Sequence, residues 1–204
     1  MTKPRLAIDL DGVCADFMGF ILSLTNTDKN DADYYFHTGN ISSKMTEVLN
    51  NVVNKPETYA NLEMIRDSQE SLVILSEFYD IYYVTGRDPS ITSVTNQWLN
   101  DRHYPNANEV TFTQDKGITC LSLGVQCAVE DQVKYAEDIA NCGTKVWLFD
   151  RPYNKSVTFS SDLVKRVHCW EDLTFFIMFP SRSEKIVSIV TPAYFEKEKQ
   201  NGNT

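Results

Sequence analysis

Residues Arg5 to Phe17 read RLAIDLDGVCADF: an apolar run that ends in two aspartates one residue apart, with a glycine directly behind them. A short apolar run closed by a turn signal reads as a buried strand. Two carboxylates at the mouth of such a strand repel each other, and each raises the other's pKa unless a cation sits nearby. The pair therefore calls for a cationic partner.

Beyond this stretch, short apolar runs alternate with segments of helical period, which predicts an α/β fold with a parallel sheet covered by helices on both faces. The predicted strands are Leu6 to Leu10, Ile81 to Thr85, Glu109 to Phe112, Gln126 to Val129, Lys145 to Phe149 and Arg166 to Cys169. Ser68 to Tyr79 sets Leu72, Leu75 and Phe78 on one helical stripe, and Ile91, Val94, Trp98 and Leu99 form another. Asp88-Pro89 opens the second of these helices as N-cap and first-turn proline. Gln132 to Cys142 reads as a further helix, stopped by Gly143. From about Met18 to Arg66 the rhythm breaks into Asn, Asp, Thr and Tyr, a connection too long for a plain crossover. The division expected is a core of residues 1–16 and 67–180, a mostly helical cap inserted after the first strand at 17–66, and a segment 181–204. The charged end of that last segment is expected to fray.

The chain has 204 residues and 42% apolar composition, enough for one domain with a modest insertion. Its five cysteines are an odd count without a C-x-x-C pair, and no apolar signal segment follows Met1. Free thiols and a cytoplasmic location are the expectation. The Asn-x-Ser matches at Asn40 and Asn154 then carry no meaning as glycosylation sites. No apolar run approaches the roughly 20 residues that span a bilayer. A net charge of −9 argues against broad binding to a nucleic acid polymer or an anionic membrane. A small phosphorylated ligand is compatible with it, because one metal ion and one or two basic side chains reverse the local field. A homodimer is compatible as well.

In open parallel sheets, ligands bind beyond the carboxyl ends of the strands, and the reactive residues fall at such ends. Asp9 and Asp11 close the first predicted strand; Thr85 closes the second, followed by Gly86 and Arg87; Lys116 follows the third; Glu130 and Asp131 close the fourth. Singly, each has a plain structural reading as turn, cap or solvated side chain. A calcium loop fails, because its twelfth position should be Glu and counting from Asp9 reaches Phe20. Together the residues fit one job. An oxygen-only ligand set beside a phosphate favours Mg²⁺. One carboxylate can then attack phosphorus while Thr85, the Gly86 N–H and Lys116 hold the transferring group. The second aspartate, Asp11, is placed to protonate the leaving alkoxide and later to deprotonate water.

These motifs, DLDGV, VTG, the Lys of QDKG, and VED in that order, resemble those of the haloacid dehalogenase-like phosphohydrolases. The resemblance implies a Rossmann-like core, Mg²⁺ as cofactor, an aspartyl-phosphate at Asp9 and acid/base action by Asp11. It also implies metal binding through Asp9, the Asp11 carbonyl, Glu130 and Asp131, and the phosphatase rather than the dehalogenase branch. DGVCADF and KVWLFDRPYN (Lys145 to Asn154) further resemble the 5'(3')-deoxyribonucleotidase family and its bacterial and phage relatives. That resemblance implies a nucleoside monophosphate as substrate, Phe17 as a base contact, and the insertion as the cap over the nucleoside. Two departures stand out: Gly86-Arg87 replaces small polar residues and proline, and Glu130 replaces Asp. Arg87 reads either as a phosphate clamp or as a loop cap.

Two other readings stay open. One keeps the mechanism with a sugar phosphate or another small metabolite; the other is a non-catalytic phosphate-binding domain. A receiver domain is disfavoured, because its acid pair, phosphorylated Asp, Thr and Lys follow a different chain order. Tyr34, Tyr35 and Phe36 read either as base-stacking rings or as cap core. Trp98 and Trp147 read as core, and His37, His103 and His168 show no ligand spacing.

Overall fold

A computed structural model describes residues 2–25 and 43–179. Among them six strands form one sheet: β1 (Arg5–Ile8), β2 (Asp80–Thr85), β3 (Val110–Phe112), β4 (Cys127–Glu130), β5 (Lys145–Phe149) and β6 (Val164–Val167). All neighbours are parallel and the order is β3-β2-β1-β4-β5-β6. This is the Rossmann-like order, in which the chain turns back between β1 and β4 and leaves a crevice beyond their carboxyl ends.

The apolar pattern of the strands explains the two covered faces. Leu6, Ile8, Ile81, Tyr83, Val129, Trp147 and Phe149 share one core, while the alternate residues Ala7, Val84, Ala128, Val146 and Leu148 share the other. The first face packs α4 (Ser68–Ser76), α5 (Thr92–Asp101) and α8 (Trp170–Met178) through Leu72, Leu75, Trp98, Leu99, Trp170 and Leu173. The second packs α6 (Lys116–Leu123) and α7 (Val133–Asn141) through Cys120, Ala136, Ile139 and Ala140. Alanines on both sides of that second interface let helix and sheet approach closely.

Trp98 and Trp147 are core, as their period predicts. Asp88 caps the turn Pro89–Ile91 through a bond from the Ser90 N–H, 2.8 Å, and α5 follows at once. α7 stops at Asn141, with Gly143 in the left-handed region at φ 86°. Three corrections are needed. α4 ends at Ser76, so Phe78 lies beyond it and is 51% exposed rather than on the buried stripe. β6 lies two residues earlier than the predicted Arg166 to Cys169, because Val164 and Val167 are its buried positions and Cys169 caps α8. Helices α6 and α8 are additional to the predicted elements, although Asp115 and a left-handed Gly124 bound the first and Glu171 and Asp172 fall in the first turn of the second.

Within 17–66 the described residues include three helices, α1 (Phe17–Thr25), α2 (Ser43–Val52) and α3 (Pro56–Ala60). The segment returns to the sheet through Glu63 and Ile65, which exchange backbone hydrogen bonds with Asp16 and Cys14 at 2.9 and 2.7 Å. Tyr34, Tyr35, Phe36, His37, Asn40 and residues 181–204 lie outside the described residues. All five cysteines are free thiols. Among the described residues no helix is long and apolar enough to cross a membrane.

Candidate active site

The turn after β1 is wound on one carbonyl. Leu10 O accepts from the N–H groups of Val13, Cys14 and Ala15 at 3.3, 2.8 and 2.8 Å, so the chain folds back on itself behind Asp9 and Asp11. Three further carbonyls of the turn accept from side chains: Gly12 O from Arg151, Val13 O from the Trp170 indole and Cys14 O from Tyr104. These bonds hold the loop in place. Gly12 is required twice over. Its φ is +79°, and a Cβ there would stand 1.9 Å from Asp131 Oδ2.

Because β1 and β4 are adjacent, this turn faces Glu130 and Asp131 across the crevice. Oxygens of Asp9, Glu130 and Asp131 lie within 4.8 Å of one another, and all three residues are buried. Lys116, first residue of α6 and 1% exposed, reaches between them: its Nζ is 2.6 Å from Asp9 Oδ1 and 2.5 Å from Glu130 Oε1. The ring of Tyr135 lies 4.4 Å from the same ammonium. Thr85, also 1% exposed, ends β2 beside them. Gly86 is held by its carbonyl, which accepts from Gln114 Nε2 at 2.6 Å, and Gln114 is in turn bonded by the Tyr135 hydroxyl.

Electrostatics at this cluster are unbalanced. Burial raises the Asp9 carboxyl, and the Asp11 charge adds to this against the opposing Lys116. Burial and the Asp9 charge push Glu130 well above the usual carboxylate range and Asp131 up to about 7. Burial alone would lower the Lys116 ammonium, but Asp9 and Glu130 outweigh it and hold it charged. One ammonium among three buried carboxylates leaves negative charge to be compensated. Asp131 Oδ1 is moreover buried with no hydrogen-bond partner, a costly state for a carboxylate oxygen. An orphaned oxygen in an oxygen-only donor set fits a hard divalent cation.

Asp11 is set apart from the three. Both its oxygens accept from Arg87, at 2.9 Å from Nε and 2.7 Å from Nη2. A cavity of about 410 Å³ opens beside it, lined by Asp11, Gly12, Phe17, Asp131, Lys134 and Tyr153 among others. Phe17, at the start of α1, stacks on Tyr59 of α3 with centroids 5.8 Å apart. The candidate site residues Asp9, Asp11, Phe17, Thr85, Gly86, Arg87, Lys116, Glu130 and Asp131 thus lie at one edge of the sheet.

Sequence reasoning missed the residues that hold this edge from behind. The Tyr153 hydroxyl bonds Asp131 Oδ2. Asn154, 1% exposed, donates to the carbonyls of Asp131 and Phe149 at 2.6 and 2.8 Å. Arg151 grips Gly12 O at 3.0 and 2.6 Å. The signal for all three was the stretch DRPYN directly behind β5, at the same sheet edge. Tyr59 lies in a stretch with no period to mark it.

Comparison with known proteins agrees with this architecture. The family described as 5' nucleotidase, deoxy (pyrimidine), cytosolic type C matches residues 3–183. A nucleotidase of Clostridium acetobutylicum is 24% identical over 182 residues, covering 85% of this chain and 93% of its own length. A HAD family hydrolase from Deinococcus radiodurans, solved with bound phosphate and sodium, shares the fold with a TM-score of 0.56 at 12% identity, covering 89% of this chain and 97% of that one. A HAD-type protein of Bacillus subtilis solved bound to magnesium has a TM-score of 0.55 at 11% identity, covering 87% and 99%. With a family match that spans both halves of the crevice, on a haloacid dehalogenase-like fold, this chain belongs to the 5' nucleotidase, deoxy (pyrimidine), cytosolic type C family and is a phosphoric monoester hydrolase.

Proposed function

We propose that the protein is a Mg²⁺-dependent 5'(3')-deoxyribonucleotidase-like phosphatase that releases phosphate from nucleoside monophosphates through an aspartyl-phosphate at Asp9. The observation that carries this is the convergence of Asp9, Asp11, Thr85, Lys116, Glu130 and Asp131 at the β1/β4 crevice, with the Asp131 Oδ1 lacking a partner. The side chains of Asp9, Glu130 and Asp131 and the Asp11 carbonyl would hold the metal. A bound Mg²⁺ supplies charge neutralisation for the carboxylates and for the phosphoryl oxygens.

In the first step an Asp9 carboxylate oxygen attacks phosphorus, the ester P–O bond breaks, and the leaving alkoxide takes a proton from Asp11. In the second step Asp11 takes a proton from water, whose oxygen attacks phosphorus, and inorganic phosphate leaves with Asp9 restored. Thr85 Oγ1, the Gly86 N–H and the Lys116 ammonium bind the equatorial phosphoryl oxygens. Lys116 also keeps Asp9 ionised at the moment of attack. Residues 17–66 act as the cap over the nucleoside, with Phe17 against the base from the wall of the 410 Å³ cavity.

The test is phosphate release from a panel of ribo- and deoxyribonucleoside monophosphates and sugar phosphates, with Mg²⁺ or EDTA and with Asp9→Asn as control. Turnover concentrated on nucleotides, dependent on Mg²⁺ and lost in the variant, is expected. Turnover confined to sugar phosphates would discard the substrate; full activity in Asp9→Asn would discard the mechanism.

A further inference from the structure

We propose that Arg87 is the positioning residue for the acid/base aspartate, Asp11, rather than a ligand for the substrate phosphate. The inference deepens the reading above and rests on it. Arg87 follows the Thr-Gly turn at the end of β2, and its side chain is 1% exposed. Each of the three guanidinium nitrogens has a partner. Nε and Nη2 make a parallel fork onto Asp11 at 2.9 and 2.7 Å, and Nη1 donates to Thr95 Oγ1 of α5 at 3.2 Å. The Tyr59 ring covers its face at 4.6 Å. Its own backbone N–H donates to Thr85 Oγ1 at 3.2 Å, which ties the phosphate-side turn into the same unit.

A phosphate could reach this guanidinium only by displacing Asp11 and entering a buried slot. Asp11, by contrast, keeps 24% of its side chain exposed and lines the cavity. A carboxylate offers about four lone-pair sites, and the fork occupies one on each oxygen. Both oxygens therefore keep a site turned away from Arg87, fixed in direction by a planar, two-point clamp that lysine cannot reproduce. Proton transfer to and from a leaving group depends on this kind of fixed geometry. Tyr59 also stacks on Phe17, so the clamp joins the acid/base to the aromatic pair at the proposed cap.

The experiment compares kcat/KM for a nucleoside monophosphate, whose alkoxide leaving group needs a proton, with that for p-nitrophenyl phosphate, whose phenolate does not. Inhibition by inorganic phosphate is measured alongside. Arg87→Met is expected to lower kcat/KM for the nucleotide ~100-fold and for the nitrophenyl ester less than about tenfold, with phosphate inhibition unchanged. Arg87→Lys, which keeps the charge and loses the fork, recovers little of the nucleotide activity. Thr95→Val, which loosens the clamp without removing it, gives a smaller bias in the same direction and serves if Arg87→Met does not fold. Equal losses on the two esters with weakened phosphate inhibition would make Arg87 a phosphate ligand and overturn the proposal, as would no loss at all. A wild type that hydrolyses neither ester would instead overturn the proposed function, and the Arg87 role with it.

Discussion

Replacing Lys116 by Met removes the ammonium that stands 2.6 Å from Asp9 and 2.5 Å from Glu130 while keeping most of the side chain's length. At an effective dielectric of about 20, each contact has a gross Coulomb energy of about 6 kcal/mol. Desolvation offsets most of this. What remains after one partner of a buried pair is removed is a loss of about 3–5 kcal/mol. The loss must depend on pH. Glu130 and Asp131 are raised by burial and by the Asp9 charge, Asp131 to about 7, so they bind protons in the folded state that the unfolded chain has already released. A group raised in this way is accommodated at low pH and becomes a burden as pH rises through its folded pKa. Near pH 5 the carboxylates take up protons and need no ammonium; near pH 8 they are left bare. Urea denaturation in EDTA should therefore give a destabilisation of about 3–5 kcal/mol around pH 8 and less than half that around pH 5. Mg²⁺ should recover part of the loss at the higher pH without restoring turnover. Equal losses at both pH values would refute the reasoning, since lost packing has no such dependence.

Three other outcomes follow from the geometry. A Cβ at Gly117 would lie 2.5 Å from the Asp138 carbonyl oxygen, so Gly117→Ala should push α6 from α7, cost about 1–3 kcal/mol in denaturant unfolding, and lower kcat by moving Lys116. Mg²⁺ at 100 times its Kd should stabilise the wild type by about 2.7 kcal/mol in thermal unfolding, and Asp131→Asn, which alters the orphaned carboxylate, should lose most of that gain. His168 stands 3.4 Å from Asp150, and that hydrogen bond raises the His168 pKa against the effect of burial, while Asp150 is lowered. His168→Gln should therefore lower Tm slightly, by the equivalent of ~0.5 kcal/mol for a pair whose histidine is half-exposed, between about pH 4 and the raised histidine pKa. The difference should vanish as pH rises through that pKa, which a Tm series across pH would show.

The strands were legible because each is a short apolar run with a turn behind it, and the reactive residues because each closes a strand or follows one directly. Asp9, Thr85 and Glu130 needed no tertiary information beyond the rule that ligands meet strand ends. What stayed hidden depends on pairs distant in sequence. Arg87 lies 76 residues from Asp11 and Arg151 lies 139 from Gly12. Nothing local in VTGR distinguishes an arginine that clamps a carboxylate from one that clamps a phosphate; only the buried slot between Thr95 and Tyr59 does. β6 was misplaced because its buried valines are three residues apart and the run continues into the cap of α8. The helices described at 17–66 are short, at nine, ten and five residues, and no local pattern places Tyr59 beside Phe17.

The most direct test of the account mixes the Mg²⁺-loaded enzyme with a nucleoside monophosphate carrying a radiolabelled phosphoryl group, quenches in acid within one turnover, and maps the label on the chain. The account predicts acid-stable label on the peptide containing Asp9, none in Asp9→Asn, and parallel loss of phosphate release. Turnover in the wild type without label on that peptide, together with undiminished release by Asp9→Asn, would contradict it.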